Sequence, residues 1–101
     1  MTKANIARIY KRQFSSTSDV AAFINSVAII EDRLSAVDAK YRLYHCENDP
    51  LIVFEIWEYP DEEAMEWVQS AMEGAVAIPR RFTIDTEAFT ATVKASIDIE
   101  D

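Results

Sequence analysis

The stretch from Pro50 to Gly74, PLIVFEIWEYPDEEAMEWVQSAMEG, constrains this chain most. It reads as a buried strand that runs straight into an amphipathic helix. Leu51 to Trp57 is apolar on both alternating sides and is broken only by Glu55. Ile52, Phe54 and Ile56 point one way, and Leu51, Val53, Glu55 and Trp57 point the other. A strand apolar on both faces must be covered on both. Tyr59-Pro60 ends it, because proline cannot donate to a ladder. Asp61, Glu62 and Glu63 put negative charge on the first helical turn, where the helix dipole favours it. Ala64, Met65, Val68, Ala71 and Met72 recur at helical spacing and form one stripe. Gly74, the only glycine, stands where a left-handed C-terminal cap belongs.

The remaining elements fall around this unit. Ala4 to Phe14 reads as a first strand, with Ile6, Arg8, Tyr10 and Arg12 on one side and Ala7, Ile9 and Lys11 on the other. Arginine and tyrosine together on one side are unusual for a plain core. Ser15 to Ser18 is a polar break, with Ser18 the expected N-cap. From Asp19 to about Ala36 the pattern is helical, with Val20, Phe23, Ile24, Val27, Ile30, Leu34 and Val37 along one stripe. Lys40 to Glu47 is a second strand, and Asn48-Asp49 before Pro50 predicts a tight hairpin into the third. Ala75 to Arg81 reads as a loop without an assigned structure. Strict alternation from Ala88 to Ile99 predicts a long half-buried last strand.

The order is β-α-β-β-α-β, the split βαβ arrangement. Right-handed crossovers put strands one and three side by side in the centre of an antiparallel four-stranded sheet, with both helices on one face. The expectation is a single ferredoxin-like α+β domain over residues 1–101. The other face has no cover within the chain. The sequence leaves open which face Glu55 and Arg8 share. A sheet face carrying Val53 and Trp57 with Tyr10 or Tyr44 would be a partner site or a pocket. The simplest cover is a second copy, a homodimer through the open sheet face that closes a dimeric α/β barrel.

Charge narrows the partners. The net charge of −8 argues against nucleic acid, whose phosphates need a basic surface, and against an anionic membrane. One cysteine, Cys46, cannot form an internal disulfide or a structural zinc site. With no signal peptide and no membrane-spanning apolar run, the default location is the cytoplasm. A single glycine sets aside phosphate-cradling glycine-rich loops. No cofactor is expected and no metal site, since one histidine, one cysteine and scattered carboxylates lack ligand spacing.

Phe54-Glu55-Ile56-Trp57, followed by Glu63-Ala64-Met65-Glu66, resembles the E-x-W strand and the A-L/F helix of the antibiotic biosynthesis monooxygenase-like domains. These belong to the dimeric α/β-barrel superfamily. The likeness covers the whole chain in element order and about twenty residues in motif. It implies a homodimer whose sheets pack face to face, each protomer holding a small pocket between sheet and helices. Family members include cofactor-independent oxygenases of aromatic polyketides, haem-degrading enzymes, quinol monooxygenases and proteins with no known reaction. Many carry a histidine on the second helix, a position that falls here at Val68. Haem-degrading members use an asparagine on strand one, a tryptophan and an iron-ligating histidine. Trp57 fits their tryptophan and Asn5 sits too early for their asparagine. Matching Trp67 to their helix tryptophan instead puts the iron ligand at Ala77. Either alignment removes the histidine, which argues against haem degradation.

Two functions follow as expectations. The first is oxidation of a flat aromatic or quinol-like molecule held between Trp57, Tyr10, Tyr44, Met65 and Val68, and oriented by Glu55 or by Arg8 or Arg42. The second is a non-catalytic dimeric module that binds a small ligand or a protein. Glu55 is the catalytic candidate, since an acid inside an apolar strand is costly unless paired. It is either a general base with a raised pKa or one half of an ion pair with Arg8, Arg12 or Arg42 across the sheet. The pairing is the more ordinary reading. His45, next to the turn, is expected in solvent, and Cys46 is expected to act as a small buried hydrophobe. The two are neighbours on a strand and so point to opposite faces.

Overall fold

The computed structural model describes residues 5–28, 39–72, 83–97 and 99. Along the chain run β1 (Ile6–Phe14), α1 (Thr17–Ser26), β2 (Lys40–His45), β3 (Ile52–Tyr59), α2 (Glu62–Met72) and β4 (Thr83–Thr92). The strands form one sheet in the order β2-β3-β1-β4, with every neighbouring pair antiparallel. This is the ferredoxin-like arrangement expected from the element order, with β1 and β3 central. No described helix is long and apolar enough to cross a membrane.

The alternation of β3 divides the sheet. Val53, Glu55, Trp57 and Tyr59 are buried, while Ile52, Phe54, Ile56 and Glu58 between them are half-buried. Both helices lie on the side of the buried set. Val20 and Phe23 of α1 pack with Phe14 and Val53. Val68 of α2 packs with Trp57 and Tyr59, and Ala64 and Met65 join from the same helix. The register carries that face across the strands. Arg8 stands opposite Trp57 and Tyr10 opposite Glu55, while Tyr41 and Leu43 of β2 stand opposite Trp57 and Glu55. Glu55 and Arg8 therefore share the helix-covered face.

Local chemistry sets the helix starts, and one differs from expectation. The N-cap of α1 is Ser16, not Ser18. Ser16 is extended, with φ −154° and ψ 160°, and its side chain accepts a hydrogen bond from the Asp19 N–H. The Ser15 hydroxyl donates to the Asp19 carboxylate at 2.8 Å, which fixes the same turn from outside. Asp61 caps α2, its side chain accepting from the Ala64 N–H at 2.8 Å. Ile24, placed by periodicity on the buried stripe, lies at its margin and is 36% exposed. The sequence pattern predicts a helix to about Ala36, but α1 ends at Ser26: the Val27 N–H turns back to the Ile24 carbonyl as the C-cap, and the Ser26 hydroxyl donates to the Phe23 carbonyl at 2.6 Å. Residues 29–38, the Gly74 cap and the loop over residues 75–81 lie outside the described residues.

The hairpin loop between β2 and β3 spans residues 46–51. Its turn is held by the Asp49 carboxylate, which accepts from the Leu51 N–H at 3.0 Å. His45 is exposed, with Nε2 2.9 Å from the Pro50 carbonyl. Cys46 is half-buried. The last strand is displaced from its expected span. It runs Thr83–Thr92, whereas alternation points to residues 88–99. A strand needs a ladder as well as a pattern. β1 supplies that ladder from Phe14, opposite Thr83, to Ile6, opposite Thr92, with a bulge between Gln13 and Phe14. A last bond joins the Val93 N–H to the Asn5 carbonyl at 2.9 Å. Beyond it the alternation continues without pairing to any described strand, and Ile97 and Ile99 are 79% and 87% exposed.

Ser16→Ala is expected to lower unfolding free energy by about 1 kcal/mol, while Ser18→Ala should change it by less than about half that. Urea denaturation of the two variants checks the cap.

Candidate functional site

Glu55 is the one described acid in the core, 3% exposed. Its carboxylate is answered on both oxygens. Oε1 accepts from the Arg12 Nε in an ion pair. Oε2 accepts from the Tyr41 hydroxyl at 2.5 Å. Arg12 and Tyr41 reach Glu55 diagonally, because the residues directly opposite it are Tyr10 and Leu43. Of the arginines named as partners from the sequence, Arg12 is the one that pairs. A buried ion pair adds little net stability, but removing one member strands a charge in the interior.

Around this centre lies a row of cations and rings on β1. The Arg12 guanidinium sits 4.6 Å from the centre of the Tyr10 ring and 5.8 Å from that of Phe23. The Arg8 guanidinium lies 5.4 Å from the centre of the Tyr10 ring. Arg8 Nε donates to the Tyr10 hydroxyl at 3.3 Å, and its Nη1 donates to Thr90 Oγ1 at 2.6 Å. Among the described residues the ion pairs are Arg12–Glu55 and Lys11–Glu87, so Arg8 meets hydroxyls and the Tyr10 ring but no described carboxylate. Trp57 packs tilted on Tyr41 at 4.5 Å and parallel to Tyr59 at 6.2 Å.

Burial sets the acid–base state of this cluster. It pushes the Tyr41 phenol well above its ordinary value of 10.0, and the negative charge of Glu55 raises it further. Burial also raises the Tyr59 phenol, with Tyr10 adding to it. Both phenols stay protonated through the physiological range, Tyr41 as the donor to Glu55.

The site has an open side. The residues of β4 on the helix-facing side, Thr86, Ala88, Thr90 and Thr92, are small and exposed, and they stand opposite Arg12, Tyr10, Arg8 and Ile6. Beside the cationic row, this side of the sheet is therefore floored by exposed methyls and hydroxyls.

The sequence-derived candidates divide between the two faces. Glu55, Trp57, Tyr10, Arg8, Met65 and Val68 come together under the helices. Arg42 and Tyr44 stand opposite Ile56 and Phe54, and so lie on the other face, away from this cluster. Trp67 is 51% exposed. Tyr41, Tyr59 and Thr90 belong to the cluster without having been singled out. Tyr41 carries the one available signal, its place in alternation with Leu43, but its reach to Glu55 depends on the inter-strand register. Among the described residues no group of His, Cys, Asp and Glu is placed to hold a metal ion.

Arg12→Leu is expected to cost roughly 3–5 kcal/mol in denaturant unfolding at neutral pH. Adding Glu55→Leu to it should recover most of that loss, because no charge is then stranded. The tyrosines give a pH signature. Their folded pKa values lie above the unfolded value near 10.0, so above that pH the unfolded chain releases protons that the folded chain keeps. The stability they contribute is complete below pH 10.0 and falls as pH rises past it. Unfolding midpoints across that range should decline, and Tyr41→Phe should flatten the decline; an unchanged slope would contradict the assignment.

No protein-family model matches the chain, and no curated protein sequence matches it. Solved structures do match in fold. A dimeric ferredoxin-like protein from an uncultured marine organism superposes with a TM-score of 0.82 at 14% identity, covering 97% of this chain and 95% of that one. SnoaB, a cofactor-independent oxygenase from Streptomyces nogalater, gives 0.74 at 10% identity over 94% of this chain and 98% of its own. A Chloroflexus aurantiacus protein classed with the antibiotic biosynthesis monooxygenases gives 0.71 at 16% identity over 96% and 100%. At these identities the likeness is one of fold: the chain has the ferredoxin-like architecture that these proteins share.

Proposed function

We propose that the chain works as a homodimer that binds a small aromatic molecule with an acidic oxygen, of the phenol or quinol type, and promotes its oxidation by molecular oxygen without a cofactor. The observation that carries this reading is the Arg8–Tyr10–Arg12 row beside the small residues of β4. Arg12 is neutralised by Glu55, while Arg8 meets hydroxyls and the Tyr10 ring and no carboxylate among the described residues. A half-buried guanidinium of that kind favours an anionic oxygen, and the neighbouring rings favour a flat apolar body.

Arg8 and the Tyr10 hydroxyl would hold the substrate oxygen as its anion. Trp57, Met65 and Val68 would exclude water from the ring. In monooxygenation of a quinol, one oxygen atom enters the ring and the other leaves as water. The quinol supplies the electrons as it becomes a hydroxyquinone. The protein's share is orientation and desolvation. Glu55 takes a positioning role, because both of its oxygens are engaged in holding Arg12 and Tyr41. The fold shared with SnoaB is compatible with this chemistry and does not decide it.

The full engagement of Glu55 and the apolar Val68 on α2 favour a second reading, a binding module without turnover. Oxygen uptake with a naphthoquinol probe separates the two. The oxygenase reading expects uptake above autoxidation, and Arg8→Gln should lower kcat/KM by about 10- to 100-fold. Uptake no faster than in buffer, with the probe still bound, would leave the binding module.

A further inference from the structure

The strands sort their charges unevenly between the two sides of the sheet. Their acids are Glu55, Glu58, Asp85 and Glu87, and β1 and β2 carry none. Glu58 stands opposite Ala7, Asp85 opposite Gln13 and Glu87 opposite Lys11, so these three share the open face. Glu55 alone is on the helix-facing side. The strand cations Lys11, Lys40 and Arg42 lie on the open face with those acids, while Arg8 and Arg12 lie on the helix-facing side. Glu55 answers Arg12. Arg8 is thereby left as an uncompensated strand cation, in a chain whose net charge is −8.

The Arg8 guanidinium is held in place and only partly used. It is half-buried, on a residue that stands between Trp57 of β3 and Thr90 of β4. Nε donates to the Tyr10 hydroxyl and Nη1 to Thr90 Oγ1. A guanidinium carries its N–H groups in one planar fork. Nη2 and the second Nη1 N–H, which form the end of that fork, have no partner among the described residues.

We propose that the free end of the Arg8 fork takes a carboxylate, so that the ligand of this site is an aromatic carboxylic acid. The proposal rests on the aromatic-ligand reading above and names the group that anchors the ring. A carboxylate lies flat in the guanidinium plane and offers two oxygens to two N–H groups, whereas a phenol offers one. Ionisation points the same way. A carboxyl group with a pKa of about 4 is an anion at neutral pH, while a phenol with a pKa of about 10 must first lose its proton. One uncompensated cation calls for one negative charge, and a carboxylate supplies it with the ring hydroxyls still protonated. The surroundings accept the rest of such a molecule. The Tyr10 hydroxyl accepts from Arg8 and keeps its own proton for a further ligand oxygen. Ala88 and Thr92 flank Thr90 on the same side of β4 and are exposed, so a flat ring can lie over them. Asp85 and Glu87 of that strand are turned to the opposite side, where they do not repel the anion. Thr90 is a positioning residue, since its hydroxyl fixes the plane in which the carboxylate must lie.

The test compares naphthoate, naphthamide and naphthol, three stable probes on one ring system, by titration calorimetry of the full chain. Naphthoate should bind about tenfold or more tightly than naphthamide, which has its shape without its charge. That advantage should stay level from about pH 6 to 8, where the carboxylate remains ionised. Arg8→Gln should cut the advantage to about twofold or less while naphthamide binds as it does to wild type, which also shows that the variant is folded. Arg8→Lys keeps the charge without the fork and should restore only part of the advantage. Thr90→Val should weaken naphthoate by about threefold or more and leave naphthamide unchanged. If naphthoate binds no more tightly than naphthamide, or if its advantage survives Arg8→Gln, the carboxylate assignment is wrong while binding of the other two probes keeps the aromatic-ligand reading. If no probe binds at concentrations up to about 1 mM, both are overturned.

Discussion

The Glu55 carboxylate sets the terms for everything on the helix-facing side of the sheet. A charge buried to 3% exposure in an otherwise apolar strand is tolerable only with partners on its oxygens. Arg12 and Tyr41 provide them from the strands on either side. The requirement ties β1, β2 and β3 to one register, since a slip by one residue would turn Arg12 or Tyr41 to the opposite face. It also fixes the guanidinium that lies over Tyr10 and Phe23. The cationic and aromatic row of the site is thus built on the same contacts that keep the strands in step.

The alternation of β3 then assigns the two faces different work. The side with Val53, Glu55, Trp57 and Tyr59 is sealed by helices at its centre and stays open above the small residues of β4. The side with Ile52, Phe54 and Ile56 has no helix upon it among the described residues. Half-buried isoleucines and an exposed Phe89 are poor terminal surface for a chain of this size, and a second sheet is the natural cover. The proposed binding and association would then take place on opposite sides of one thin layer.

Much of this architecture was legible in the residues. The PLIVFEIWEYP strand, the acidic helix start and the β-α-β-β-α-β order lead directly to the sheet order and to Glu55 as a buried acid with an arginine partner. What the residues do not carry is register. Arg8, Arg12 and Arg42 are equivalent as partners of Glu55 until the ladder places Arg42 on the far face and sets Arg12 diagonal to the carboxylate. Tyr41 and Tyr44 differ in the same way. Ser16 and Ser18 are both good caps by type, and only the extended backbone at Ser16 separates them. The last strand shows the complementary lesson. Thr83 to Glu87 reads as polar yet pairs with β1, whereas the alternating Val93 to Ile99 runs on past the partner that would make it a strand.

The central claim is that the ligand binds on the helix-facing side and leaves the open face to association. Tryptophan fluorescence tests it directly, because the chain has two tryptophans, one in the cluster and one on the exposed side of α2. In a Trp67→Phe variant, Trp57 is the sole reporter. Titration with a naphthoquinone that cannot be oxidised further should quench it saturably, while sedimentation shows the dimer unchanged. Absence of quenching, or a ligand that splits the dimer as it binds, would contradict the separation of the two faces.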